Sequence, residues 1–355
     1  MFQLRIGEKI LQSFTDFRDY SCTESEWEKS AIDFCKEWLL GITYFSLQTS
    51  GSTGLPKKIE INKNQMLASA KATQNFFGTG PDTRILNTLN VNYIGGKMNL
   101  VRAMVWNCPI LLVPPSNQPI NEATQNFYPD FISLVPSQIE TMLKEKVKLD
   151  GFKQILIGGA PVNDELKALI YESGIPAWQS YGMTETVSHI ALARISNTDL
   201  IYQTLPKVEI GTSTEGTLWL KSPMSNHQKI QTNDLVEILD QFSFRWLGRA
   251  DFIINSGGIK IQPEHLEKEA EPIIQALFPS SRFFFWGEKD RFFGEKLVLF
   301  LESEKDLSKS KKLISELKAF LPKYQMPKEV YFCENFDYSP SGKLNRSLTA
   351  LNNSK

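Results

Sequence analysis

The chain has little of what metal and disulfide frameworks are built from. Its three histidines (His189, His227, His265) and four cysteines (Cys22, Cys35, Cys108, Cys333) stand apart, with no ligand-like spacing. That scatter argues against a structural zinc site. Long apolar runs are missing as well. The longest, Pro109 to Val113, falls far short of a membrane span. No uninterrupted apolar core follows Met1-Phe2-Gln3-Leu4-Arg5, so no signal peptide is expected. Neither sign of charge is in excess: the net value is −1, which implies neither nucleic acid nor a membrane surface as a partner. A cytoplasmic protein with reduced thiols is the expectation.

What is present suits an ordinary globular chain. An apolar fraction of 41% and a charged fraction of 22% over 355 residues allow a sizeable core, and the length points to one large and one small domain. The segment Thr49-Ser50-Gly51-Ser52-Thr53-Gly54-Leu55-Pro56-Lys57 packs hydroxyls, two glycines and a lysine into nine residues. Successive backbone N–H groups, hydroxyls and an ammonium are what a polyphosphate needs, while the bland alternative is a polar surface turn. Pro56, Lys57 and Lys58 stand where a Walker A loop would have Gly-Lys-Ser/Thr, so this is a different device. Apolar alternation at Phe45, Leu47, Ile59 and Ile61 predicts strands on both sides, hence a hairpin-like connection.

The rest of the first half alternates between the two periodicities. Trp27 to Leu40 has helical spacing, and Asn64 is the expected cap of a helix running to Phe77. Strands are expected at 85–89, 109–113, 131–135 and 154–157, with helices between them through Met98 to Met104 and from Pro136 onward. This rhythm implies a mainly parallel sheet with helices on its faces. Gly158-Gly159-Ala160-Pro161 and Tyr181-Gly182-Met183-Thr184-Glu185 follow strands, where ligands of such sheets collect. Tyr181 could stack on a base, Thr184 bond a phosphate oxygen and Glu185 hold a divalent cation. A core aromatic and a solvated helix end are the competing roles. From Lys207 short strands and turns predict a small antiparallel sheet or distorted β-barrel, with Asp234 between strands. Residues 250–355 form a separate α+β pattern ending in Ser341-Gly342-Lys343, an exposed lysine able to reach a cleft.

In this order the pieces resemble the adenylate-forming superfamily of acyl-CoA synthetases, peptide-synthetase adenylation domains and luciferases. The resemblance runs from about Gln48 to Arg346 and spans six motifs. It implies an N-terminal domain over 1–249 and a small mobile C-terminal domain over 250–355. It further implies that Thr49 to Lys57 wraps the ATP phosphates, that Gly158 to Pro161 lines the adenine, and that Tyr181 to Glu185 supplies a stacking ring, a phosphate contact and the Mg²⁺ carboxylate. Asp234 and Arg249 would hold the ribose and Asp251 would be the hinge. Lys343 would bridge phosphate and acyl carboxylate, and Gly257, Gly258 and Lys260 would enter for the thioester step with CoA. Much of the family's usual N-terminal region is missing ahead of the phosphate loop, and no histidine stands at Asn92-Tyr93. Tyr93 to Met98 and Ser188-His189-Ile190 are most similar to the o-succinylbenzoate–CoA ligases of menaquinone biosynthesis. Their substrate has two carboxylates, so Lys97, Arg102, Ser188 and His189 become candidates for the acyl pocket, with His189 preferred. Lys97 and Arg102 could equally be a solvated helix face. Other aryl or medium-chain acids, a carrier-protein thiol as acceptor, and a nucleotide-binding module without catalysis are the alternatives. A homodimer is left open.

Overall fold

The computed structural model describes residues 1–21, 25–48, 58–338 and 344–354. At the start β1 (Gln3–Ile6) and β2 (Lys9–Leu11) pair antiparallel. Ser13 caps α1 (Phe14–Asp19) through a reciprocal box with Asp16, and α2 (Glu26–Leu39) follows. The hairpin expected around the phosphate loop is present: β3 (Tyr44–Gln48) pairs antiparallel with β4 (Lys58–Asn62). The loop itself, Thr49 to Lys57, lies outside the described residues. The cap of α3 (Lys63–Phe77) is Asn62, not Asn64. Gln65, three residues on, returns a bond to the Asn62 N–H, and that reciprocal spacing fixes the start.

Strand and helix then alternate: β5 (Ile85–Asn87), α4 (Ile94–Trp106), β6 (Pro109–Leu112), α5 (Glu122–Gln125), β7 (Phe131–Leu134), α6 (Pro136–Lys144), β8 (Gln154–Ile157), α7 (Asp164–Ser173) and β9 (Ala177–Gly182). Strands β1, β6, β5, β7, β8 and β9 lie side by side, all parallel. Successive side chains point to opposite faces and so feed two cores. Ile85, Phe131 and Leu156 pack with α2, α3 and α4, while Leu86, Ile132, Ile155 and Ile157 pack with α6 and α7. Both faces are covered, which is why these strands read as unbroken apolar runs.

The next strands are β10 (His189–Arg194), β11 (Ile201–Thr204), β12 (Glu209–Thr212), β13 (Thr217–Lys221), β14 (Lys229–Asp240) and β15 (Ser243–Arg249). The antiparallel pairing expected here is present, but as part of a larger sheet and not as a small sheet or distorted barrel. These strands pair antiparallel and prolong the parallel sheet into one of 13 strands, ordered β12-β13-β14-β15-β11-β10-β9-β8-β7-β5-β6-β1-β2. The change of texture begins at His189 rather than Lys207, because β10 folds straight back onto β9. Asp234 likewise sits inside the long strand β14, paired opposite Arg249.

A second, five-stranded sheet starts just after β15. It comprises β16 (Ile254–Ser256), β17 (Ile259–Ile261), β18 (Phe283–Asp290), β19 (Gly294–Glu302) and β20 (Glu329–Cys333). Helices α8 (Pro263–Leu277) and α9 (Leu307–Phe320) close one core with Ile254, Leu299 and Leu301, and α10 (Arg346–Asn353) places Ala350 in a second core with Phe284 and Phe300. The architecture is mixed α/β with a large sheet and a small separate one. Among the described residues no helix is long and apolar enough to cross a membrane, and Cys35, Cys108 and Cys333 are free thiols.

Candidate active site

The carboxyl ends of β8 and β9 set the first half of the site. After β8, the Gly158 N–H donates to the Leu134 carbonyl (2.8 Å), and Gly159 takes a φ of 90°, a region that favours glycine. Gln179 on β9 is buried beneath this turn. Its Nε2 donates to the Ala160 carbonyl and its Oε1 accepts from the Val162 N–H, both at 3.0 Å, so one side chain clamps Gly158 to Pro161. Two residues on, the Tyr181 hydroxyl donates to Asp234 Oδ2 (2.6 Å) while its ring meets Tyr202 and Phe244 edge-on. Trp246 Nε1 donates to the other oxygen of Asp234 (3.2 Å), and Arg249 Nη1 stands 3.6 Å from it. Tyr181 and Arg249, which lie on either side of Asp234 in sequence, thus meet at its carboxylate, and the residue is 8% exposed. Burial first, then Asp234, pushes the Tyr181 phenol up, so it stays a donor. Arg249 also grips Asp251 through two hydrogen bonds (2.9 and 2.8 Å), and Asp251 above all raises the guanidinium further.

The turn from β9 into β10 is sterically tight. A Cβ on Gly182 would lie 2.0 Å from the Ser188 carbonyl oxygen, so only glycine fits. Met183 leads into a 3-10 turn, Thr184–Thr186, which leaves Glu185 exposed. Val187 then takes φ 66° and ψ −48°, and the Ser188 N–H bonds back to the Thr186 carbonyl (2.7 Å). This is a γ-turn, a strained conformation for a β-branched residue. It is pinned by Thr186 Oγ1 donating to the Ser188 carbonyl (2.8 Å). The result is that Ser188 and His189 face helix α4.

There they meet Arg102, which is 2% exposed. Arg102 Nη2 donates to Ser188 Oγ (3.3 Å) and Nη1 to Asn99 Oδ1 (2.8 Å), while its buried Nε has no partner. Among the described residues no carboxylate pairs with it. Burial pushes the guanidinium down to about 9, which still leaves it charged at neutral pH. His189 is 3% exposed and has both ring nitrogens engaged. Thr73 Oγ1 donates to the Ser69 carbonyl (3.0 Å), so towards His189 Nε2 (3.1 Å) it accepts. The proton therefore sits on Nε2, and Nδ1 accepts from Ser188 (3.2 Å). Burial, with Arg102 second, holds the His189 pKa well below the usual value. His189 is thus a neutral brace under Ser188, and Arg102 is the charged member of the pair.

Other candidates are placed elsewhere. Lys97 was a candidate for the acyl pocket together with Arg102, but both lie on α4, whose turn sets them roughly 140° apart around the helix. Its Nζ lies 5.4 Å from the Phe34 ring on α2, with Glu37 nearby. Gly257 (φ 61°) and Gly258 (φ 84°) form the turn between β16 and β17, next to exposed Lys260. Lys343 lies outside the described residues, though Tyr338 and Leu344 on either side of its segment form an antiparallel bridge. Among the described residues no three His, Cys, Asp or Glu side chains cluster to hold a metal. A single exposed carboxylate such as Glu185 fits Mg²⁺ that takes its remaining ligands from phosphate and water. Sequence reasoning missed Gln179, Asn99 and Ser133. Asn99 carried a signal: with Arg102, three residues on, it interrupts the apolar run from Met98 to Trp106.

A family model described as AMP-binding enzyme matches residues 13–217. The 2-succinylbenzoate–CoA ligase of Enterococcus faecalis is 29% identical, the match covering 84% of this chain and 67% of that protein. The 2-succinylbenzoate–CoA ligase of Listeria innocua is 25% identical over 89% of this chain and 71% of that one. A solved acyl-CoA synthetase (AMP-forming)/AMP-acid ligase II-like protein from Dyadobacter fermentans is 35% identical, with a TM-score of 0.63 over 96% of this chain and 98% of that chain. The o-succinylbenzoate CoA synthetase of Bacillus subtilis, solved with the acyl-adenylate intermediate OSB-AMP, shares the fold at 23% identity. Its TM-score is 0.74 over 87% of this chain and 69% of that chain. The chain spans about two thirds of the length of these curated relatives.

Proposed function

The chain belongs to the AMP-binding enzyme family, and on that premise we propose that it is an ATP-dependent, AMP-forming acid–CoA ligase converting o-succinylbenzoate to o-succinylbenzoyl-CoA. The similarity to 2-succinylbenzoate–CoA ligases supports the substrate. One observation carries it: Arg102 is a buried cation held only by neutral partners, with an N–H to spare. An uncompensated buried charge costs several kcal/mol, and a second carboxylate on the substrate would offset that cost. The acid reaches Arg102 past Ser188, which is only half-buried.

In the first half-reaction a carboxylate oxygen attacks the α-phosphorus of ATP and the bond to pyrophosphate breaks. Two anions approach each other, so positive charge must be in place beforehand. In this reading Lys343 and Lys57 supply it, and Thr49 to Gly54 cradle the phosphates with Thr184; Glu185 would hold Mg²⁺, which would supply further positive charge to the phosphates. Asp234 receives the ribose hydroxyls in place of the Tyr181 hydroxyl, which frees Tyr181 to face the base beside Gly158 to Pro161. In the second half-reaction the CoA thiolate attacks the acyl carbonyl and AMP leaves. Rotation of residues 250–355 about Asp251 would withdraw Lys343 and bring in Gly257, Gly258 and Lys260. We place the reaction in the cytoplasm, where ATP and CoA are held and the thiols stay reduced.

The test measures pyrophosphate and AMP release with ATP, Mg²⁺ and CoA, comparing o-succinylbenzoate with benzoate and octanoate. Turnover restricted to the keto-diacid is the expected result. Turnover of the simple acids alone would keep the adenylation chemistry and sink the substrate.

A further inference from the structure

Beneath Arg102 lies a network of amides and hydroxyls, every one of them neutral. Asn99 Oδ1 accepts from Arg102 Nη1 (2.8 Å) and from Ser133 Oγ (2.9 Å). Its Nδ2 donates to Asn87 Oδ1 (3.0 Å), and Asn87 Nδ2 donates to the Gly96 carbonyl (3.4 Å). Asn87 and Asn99 are fully buried and Ser133 nearly so. They come from β5, α4 and β7, at the carboxyl ends of the central strands. The position of Asn99 could hold a carboxylate without change of shape, and a carboxylate there would complete an ion pair with Arg102. An amide oxygen orients the guanidinium and leaves its charge unspent.

We propose that Asn99 is a specificity-determining positioning residue, which aims Arg102 at the substrate's second carboxylate and keeps its charge available for a dianionic acid. The proposal rests on the reading of Arg102 given above. Two hydrogen bonds on Oδ1 fix the amide's orientation, and the bond to Asn87 fixes which end faces Arg102. Asn99→Asp converts the cation into half of an internal pair. Asn87 then has to turn its Nδ2 towards the new carboxylate, giving up its bonds to the Gly96 carbonyl and the Leu89 N–H. Asn99→Ala removes the aim and leaves the charge.

The test measures dissociation constants by calorimetry for o-succinylbenzoate and for two analogues, 4-oxo-4-phenylbutanoate and 2-butanoylbenzoate, each lacking one carboxylate. Thermal unfolding is followed alongside. In Asn99→Asp the preference for the diacid over the tighter analogue is expected to fall roughly tenfold to hundredfold, with Tm unchanged or raised. Asn99→Ala is expected to lower it less. An unchanged preference in Asn99→Asp, beside a lost preference in Arg102→Met, overturns the proposal and leaves the role of Arg102 standing. An unchanged preference in both variants overturns the role of Arg102 and this proposal with it. If Asn99→Asp does not fold, Asn99→Ala added to Arg102→Met decides. No further change supports action through Arg102, and a further loss refutes it.

Discussion

Arg102 on α4 of the large unit and Arg346 in the small unit are both largely withdrawn from water, yet they are satisfied in opposite ways. Arg346 donates through Nη1 and Nη2 to the two oxygens of Glu267 (2.7 and 2.8 Å). Glu267 also takes the Phe285 N–H (2.9 Å), and the guanidinium lies over the rings of Phe252 and Phe284. Arg102 has an amide, a hydroxyl, the Phe131 ring at 5.9 Å and one idle N–H. A charge balanced inside the protein fixes α8 to α10. A charge left without a carboxylate partner is, on the function proposed above, matched by the substrate's second carboxylate.

The largest effect that could break this contrast is on activity. Arg102→Met should lower kcat/KM for the keto-diacid by about a hundredfold to a thousandfold, the scale of losing one partner of a buried charge pair. It should leave Tm unchanged or higher, because a costly buried charge is gone. A variant that loses activity and several degrees of Tm together would make Arg102 structural. Arg346→Met should do the reverse. It strands the buried Glu267 carboxylate and should cost about 3–5 kcal/mol of stability, read as a lower denaturant midpoint, and Glu267→Met added to it should restore much of that loss.

How much of this was legible in advance differs between the two arginines for a physical reason. Arg102 was legible only as one candidate beside Lys97 and His189, because a charge on a helix suits a solvated face equally well, whereas the hairpin of β3 and β4 and the strands β6, β7 and β8 were readable from period and from bounding prolines and glycines. The glycine of Tyr181-Gly182 was noted, but its cause, contact with the Ser188 carbonyl, is tertiary. So is the neutrality of His189, which depends on burial and on Arg102, and its tautomer, which depends on Thr73 from a helix 116 residues away. The continuity of β10 to β15 with the parallel sheet was not legible either. Alternating strands look the same whether they form a sheet of their own or extend another. In the small unit β20 and α10 passed unnoticed, and with them the meaning of Arg346.

A pH experiment sharpens the contrast on the cleft side. The depressed pKa of His189 means the unfolded chain binds the proton more readily than the folded one. Its contribution is therefore complete above the usual value near 6.5 and is lost as the pH falls below it. Wild-type stability should drop by up to about 1.4 kcal/mol per pH unit there. His189→Gln, which keeps a donor and an acceptor, should flatten that slope between pH 6.5 and 5. A slope that survives the substitution would mean that His189 is not the group titrating.

The smallest effect concerns the seam between the two units, where carboxylates of like charge face one another beside an ion pair. Glu271 on α8 accepts a hydrogen bond from the Asp164 backbone at the start of α7, but it also faces the carboxylates of Asp164 and Glu165. Lys268 on the same helix turns instead to Asp199 (2.9 Å). Burial first, then Asp164 and Glu165, raise the Glu271 carboxyl. A raised folded-state value gives a contribution that is complete below the usual carboxylate range and is lost as the pH rises through the raised one. The seam should therefore be loosest at neutral pH. Because the group is partly solvated, Glu271→Gln should stabilise it by only on the order of a few tenths of a kcal/mol. Limited proteolysis across residues 249–254 would detect that: cutting of the wild type should slow as the pH falls towards 5, while the variant should be cut slowly throughout. Equal cutting of both proteins at every pH would show that this carboxylate does not govern how firmly the small unit rests on the large one.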